Sequence, residues 1–217
     1  MENNLILCFG LTGKSFSTSL FLENSFIDEM DFTDNHNLCE KIIGSFDTIF
    51  QKNKFQISQL KKIITSTGPG SYTGLRIQLS TAKAFAFANN IPIVTVLSTE
   101  IRALAWLDEF PNKENLTQIA IQTQIGNSKE LCSFYEFKEK KIKFKELIDV
   151  KNDNDILKKI NETDSVLLLD EGKEKINFSK QYLFPLKSSY LGFFYQQTGS
   201  MRNFDRIEEW GNLSPDY

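Results

Sequence analysis

An α/β fold with a parallel sheet region is predicted for this chain on three observations. A β-branched strand runs straight into a glycine-rich segment and a long helix. A second strand and helix follow at once, and a fresh set of strands begins beyond a polar break. Strand, helix, strand, helix in that order implies parallel pairing, because each helix carries the chain back across a sheet face.

The elements follow in order. Residues 5–9 and about 16–22 are apolar or β-branched runs around Gly10-Leu11-Thr12-Gly13-Lys14, and read as two strands joined by a turn. From His36 to Lys52 the apolar residues Leu38, Cys39, Ile42, Ile43, Phe46, Ile49 and Phe50 recur at three and four, which predicts an amphipathic helix. Asp34 is its expected N-cap, since a carboxylate there accepts from the free N–H groups of the first turn. Lys61–Thr67 is a strand entering the glycine-rich segment, and a second long helix is expected over about 74–89. Ile91–Val96 is the next strand, and Ser98 or Thr99 is expected to cap a helix running to about Leu107.

The polar stretch Asp108–Asn115, with Pro111 inside it, predicts a lobe boundary, giving a first lobe over 1–110 and a smaller one over 111–217. The second lobe reads as strands from Gln118 to Gln122 and near 131–137, 141–148 and 166–169, with helices near 153–160 and 187–198. The lysine-rich run Lys138–Lys145 is expected to be the solvated face of an edge strand, with nucleic-acid contact as the other reading.

Composition bounds the function. The 217 residues hold 25 Lys plus Arg against 28 Asp plus Glu, a net charge of −3, which excludes a generally basic nucleic-acid binder. A 41% hydrophobic fraction with 19 Phe supports a packed core rather than disorder. Met1-Glu2-Asn3-Asn4 lacks the positive region of a secretory signal, and no run of about 18 apolar residues predicts a membrane span. Cys8, Cys39 and Cys132 are odd in number and far apart, which argues against disulfides and thiolate metal clusters and fits a cytoplasmic setting.

The segment Thr67-Gly68-Pro69-Gly70-Ser71-Tyr72-Thr73-Gly74-Leu75-Arg76 carries the most information. Glycines between strand and helix let the backbone turn sharply, and a helix N-terminus offers N–H groups to phosphate. The dinucleotide pattern G-x-G-x-x-G does not fit, because the spacing is Gly68-x-Gly70-x-x-x-Gly74 and Pro69 removes a donor. A tight turn capped by Ser71 or Thr73 explains the same residues, and both readings stay open. Arg76 either orients a phosphate or, as the simpler expectation, pairs with a carboxylate. Gly10-Leu11-Thr12-Gly13-Lys14-Ser15 imitates the end of a P-loop but lacks its spacing and its helix, so a hairpin turn is expected. His36 is the single histidine, and with Glu40 it makes half a metal site at most. No metal site and no catalytic residue are assigned.

The helix over 74–89 is apolar around most of its circumference, with only Arg76, Gln78 and Lys83 clearly polar. Such a helix is either buried between layers or covered by a partner, and the helix over 36–52 raises the same alternatives.

The string from Thr67 to Ala86, followed by Ile91-Pro-Ile-Val and Ser98-Thr-Glu, resembles the bacterial tRNA threonylcarbamoyladenosine biosynthesis family TsaB, also called YeaZ. The ending Pro215-Asp216-Tyr217 is similar to a shortened form of that family's C-terminus. The resemblance implies a two-lobed actin-like, Hsp70-like ATPase fold with a ribonuclease-H-like sheet in each lobe. It implies a non-catalytic scaffold that pairs with its larger paralogue TsaD, is joined by the ATPase TsaE, and reaches tRNA through that complex. The complex transfers threonylcarbamoyl to N6 of the adenosine beside the anticodon. No cofactor is implied in this chain, and ATP or ADP is placed at the interface of the complex. Carried onto this sequence, the partner surface would be Leu38, Ile42, Phe46 and Ile49 with Leu75, Leu79, Ala82 and Ala86.

Two motifs depart from the family's pattern. Gly10-Leu11-Thr12 stands where the family has Asp-Thr-Ser, and Ile121-Gln122-Thr123-Gln124 stands for Ile-Asp-Ala-Arg. The first is where an ATPase of this fold would place its magnesium-associated carboxylate and the second is a further lost acid, which leaves magnesium and an attacking water without an obvious ligand or base. A small-metabolite phosphotransferase using the 68–74 loop, and a homodimer formed through the same helices, remain the competing readings.

Overall fold

The computed structural model describes residues 4–12, 15–32, 37–110, 115–125, 129–138, 141–160, 164–169, 176–184, 186–198 and 201–204. Asp34, His36, Pro111, the turn residues Gly13 and Lys14, and the ending at Pro215–Tyr217 lie outside that set.

Two sheets are built on one plan. In the first, β1 (Leu5–Thr12), β2 (Ser15–Leu22) and β3 (Ser25–Phe32) form an antiparallel meander, and β4 (Leu60–Ser66) and β5 (Ile93–Val96) add in parallel beyond β1. In the second, β6 (Gln118–Ile125), β7 (Lys129–Lys138) and β8 (Lys141–Val150) repeat the meander, and β9 (Ser165–Leu169) and β10 (Gln181–Leu183) add in parallel beyond β6. The orders β3-β2-β1-β4-β5 and β8-β7-β6-β9-β10 are the ribonuclease-H-like arrangement twice over. A short β11 (Arg202–Phe204) extends the first sheet antiparallel to β5.

Among the described residues five α-helices complete the layers: α1 (Leu38–Lys52), α2 (Tyr72–Asn89), α3 (Ser98–Glu109), α4 (Asp153–Leu157) and α5 (Ser188–Phe194). Strand alternation sorts the core. Leu5, Leu7 and Phe9 point to one face, under α1 and α2, while Ile6 and Cys8 point to the other, under α5. The second sheet sends Ile119 and Ile121 toward α3, and Ala120, Phe134 and Cys132 toward α4. Burial pushes the Cys8 and Cys132 thiols well up, so neither is a nucleophile. Among the described residues no helix is long and apolar enough to cross a membrane.

The boundary expected at 110–111 falls between α3 and β6, but the stretch 111–217 is not one spatial unit. Leu186, Leu191 and Tyr195, and then β11, return to the first sheet, because its second face and the β5 edge need cover. Glu29 of β3 fixes that return. Its carboxylate accepts from the Ser189 N–H at 2.8 Å and from the hydroxyls of Ser188 and Ser189, each at 3.0 Å. Gly192 lies so close to β2 that a Cβ would stand 2.3 Å from the Phe21 ring.

Strands β3, β10 and β11 were not expected from sequence. Asp28, Glu29 and Asp31 break the apolar alternation of β3, and the other two have three residues each. The expected hairpin, the two long helices and the edge position of the lysine-rich strand all stand.

Candidate functional site

The glycine-rich segment sits where β4 and β5 end, which is the usual ligand position on a parallel sheet. Gly68 has φ 117°, a left-handed conformation that favours glycine. The turn into α3 holds it in place, since the Ser98 N–H donates to the Gly68 carbonyl at 2.8 Å and the Ser98 hydroxyl to that of Pro69 at 3.2 Å. Ser98 and Thr99 are therefore not caps, and α3 starts after Leu97 with no side-chain cap. Thr99 instead shares a 2.7 Å hydrogen bond with Tyr135 of the second sheet.

Of the two expected caps for α2, the structure uses Ser71, whose hydroxyl accepts from the Gly74 N–H at 3.4 Å. Thr73 is exposed in the first turn. Gly74 allows close approach of β1, because a Cβ there would lie 3.2 Å from Leu11 Cδ1. Gly70 carries no such constraint, its nearest contact being Leu75 at 3.6 Å. Among the described residues Arg76 pairs with no carboxylate. It lies over the Tyr72 ring at 5.2 Å and donates to the Tyr72 hydroxyl at 3.3 Å, both side chains being solvent-exposed.

Gln78 is the residue that sequence reasoning passed over. It is fully buried and ties three elements at the mouth of the site. Its Oε1 accepts from the Leu11 N–H at 2.9 Å, while its Nε2 donates to Thr65 Oγ1 and the Ser66 carbonyl, each at 2.7 Å. Its position one turn after Gly74 and one turn before Ala82 places it on the buried stripe of α2, and that spacing is the signal that marks it out.

The end of β1 is filled by apolar side chains. A Cβ on Gly10 would meet Leu186 at 3.3 Å and Leu191 at 3.4 Å, both from the returning C-terminal segment. Gln122 on β6 is buried and donates to Glu130 at 2.5 Å. Buried Arg102 donates to the Phe184 carbonyl at 2.7 Å and helps seat α3 on the second sheet. Among the described residues no three His, Cys, Asp or Glu side chains gather as a metal site.

The expected partner surface is corrected by burial. Leu38, Ile42, Phe46, Ile49, Leu75, Leu79, Ala82 and Ala86 are all buried, none more than 8% exposed, and all but Leu75 belong to one core cluster with β1, β2 and β4. The first sheet needs a cover, and these stripes provide it. Phe46 lies 4.9 Å from the Phe9 ring and 5.1 Å from Phe85. What the two helices show to solvent is different: Ile43 at 45% and Phe87 at 63% exposure, with Gly44, Thr48, Ala84 and Ala88.

With this geometry in view, the family model described as TsaD: tRNA N6-adenosine threonylcarbamoyltransferase matches residues 33–159, more than half of the chain. The chain belongs to that family. Its relatives place it with the TsaB (YeaZ) type. The tRNA threonylcarbamoyladenosine biosynthesis protein TsaB of Buchnera aphidicola is 33% identical over 43% of this chain and 42% of its own length. The TsaB of Bacillus subtilis is 30% identical over 45% of this chain and 43% of its own. The matched stretch thus spans less than half the length of these relatives. The solved structure of YeaZ from Pseudomonas aeruginosa matches over 99% of both chains with a TM-score of 0.68 at 14% identity, a likeness of fold: two α/β lobes.

Proposed function

We propose that this chain is a non-catalytic partner of TsaD in the transfer of threonylcarbamoyl to N6 of the adenosine adjacent to the tRNA anticodon. The observation that carries the reading is the solvent face of α1 and α2. Ile43 and Phe87 stand exposed there among Gly44, Ala84 and Ala88, whose small size lets facing helices approach closely. The absence of an acid in Gly10-Leu11-Thr12 and in Ile121–Gln124 supports a scaffold rather than an ATPase. In this reading TsaE joins the pair, any ATP or ADP lies at the interface of the complex, tRNA arrives through the complex, and the setting is the cytoplasm. In isolation the same face supports a homodimer.

Coexpression with tagged TsaD tests the interface. Wild type should copurify, and Phe87→Glu and Ile43→Glu should each reduce recovery at least tenfold with thermal midpoints within roughly 2 °C of wild type, as exposed substitutions shift stability little. Full recovery of both variants would sink the assigned face.

A further inference from the structure

A cleft of about 480 Å³ opens at one end of the second sheet, where β6 and β9 begin and β7 ends. Lys138, Lys145 and Lys159 line it together with Thr117, Gln118 and Ser165. The acids around it are engaged. Glu136 meets Lys145 at 3.5 Å, Glu146 meets Lys159 at 2.6 Å, and Asp164 accepts from the Ser165 hydroxyl at 3.2 Å.

On the hairpin itself, Lys138, Lys141 and Lys143 have no ion pair among the described residues. The β7–β8 register sets Lys138 directly opposite Lys141, and Lys143 opposite Glu136, which already holds Lys145. Like charges facing across a hairpin disfavour it. A bound polyanion removes that cost. Because alternate strand residues share a face, Lys141 and Lys143 repeat at roughly 6.6 Å and carry the positive strip out of the cleft along the sheet edge.

We propose that this strip and its cleft hold the sugar–phosphate backbone of the tRNA, an inference that rests on the tRNA-modification reading above. A strip longer than the cleft, with cations at even intervals, suits a polymer of evenly spaced phosphates better than a single small anion. The hydroxyl of exposed Thr117 suits ribose and phosphate oxygens better than the apolar side chains of an added β-strand. The net charge of −3 makes the contact local and strongly salt-dependent.

The test is fluorescence anisotropy of a labelled, unmodified tRNA transcript titrated with the full chain over about 50–200 mM salt. Wild type is compared with the triple variant Lys138→Gln, Lys141→Gln, Lys143→Gln. We expect the variant to bind at least tenfold more weakly at the lowest salt and to lose about two to three units of salt slope, near one per lysine. Its melting midpoint and its copurification with TsaD should match wild type, so loss of RNA binding is separable from failure of the partner reading. An unchanged slope would overturn the proposal. Equal binding of polyglutamate, or of ATP, with the same loss in the variant would also overturn it, in favour of an acidic-peptide or a small-phosphate site.

Discussion

Replacing Ala82 with glutamate should unfold the first lobe rather than only detach a partner. Ala82 is fully buried beside Ile42, Phe46 and Leu79, under the first sheet. A carboxylate there has no cation within the cluster, and burying an unpaired charge, together with overpacking, costs at least ~4 kcal/mol. Domains of this size hold only about 5–15 kcal/mol in total. The melting midpoint should therefore fall by roughly 8–16 °C, or soluble protein should be lost. Phe87→Glu, one helical turn and one residue further along, should leave the midpoint nearly unchanged, since that ring is already 63% exposed. A normally stable Ala82→Glu chain that merely failed to bind TsaD would contradict the burial described above.

Gln78→Leu is the second large effect. The substitution keeps the volume but removes an acceptor from the Leu11 N–H and a donor from Thr65 Oγ1, the Ser66 carbonyl and Ser66 Oγ. Thr65 retains its bond to the Phe9 carbonyl at 2.8 Å, so the ladder of β1 and β4 survives. The orphaned Leu11 N–H and the lost side-chain bonds cost about 2–3 kcal/mol. Urea unfolding should show that loss, and hydrogen exchange should show the Leu11 amide exposed ahead of its neighbours in β1. Unchanged stability with a protected Leu11 amide would mean that Gln78 does not hold the mouth of the site.

The periodic parts of the fold were legible in the sequence. The continuous apolar run Leu5–Phe9 specifies a strand buried on both faces, the three–four spacing of Leu38, Ile42, Phe46 and Ile49 specifies one buried helix face, and the structure buries both. The same spacing misled the assignment of the partner surface, because an apolar stripe records that a face is covered and not by what. A sheet of this chain covers it. The exposed Phe87 and Ile43 were visible only as apolar residues off that stripe. Strand β3 was hidden because its charged residues work inside the fold, Glu29 holding α5 and Asp28 meeting Lys52 at 2.7 Å. At the site, the glycine-rich segment announced a strand-to-helix turn, and Gly68 makes it, whereas Gly74 lies in the first turn of α2. The Gln78 bond to Leu11 and the packing of Leu186 and Leu191 against Gly10 join residues 67 or more positions apart, which local spacing does not encode.

The central claim is that this chain acts in threonylcarbamoylation through the solvent face of α1 and α2. Mass-spectrometric quantification of threonylcarbamoyladenosine in bulk tRNA tests it, using cells depleted of the protein and complemented with wild type or Phe87→Glu. The account predicts loss of the nucleoside on depletion, restoration by wild type, and failure of an equally abundant Phe87→Glu chain to restore it. An unchanged nucleoside level on depletion, or full rescue by Phe87→Glu, would contradict it.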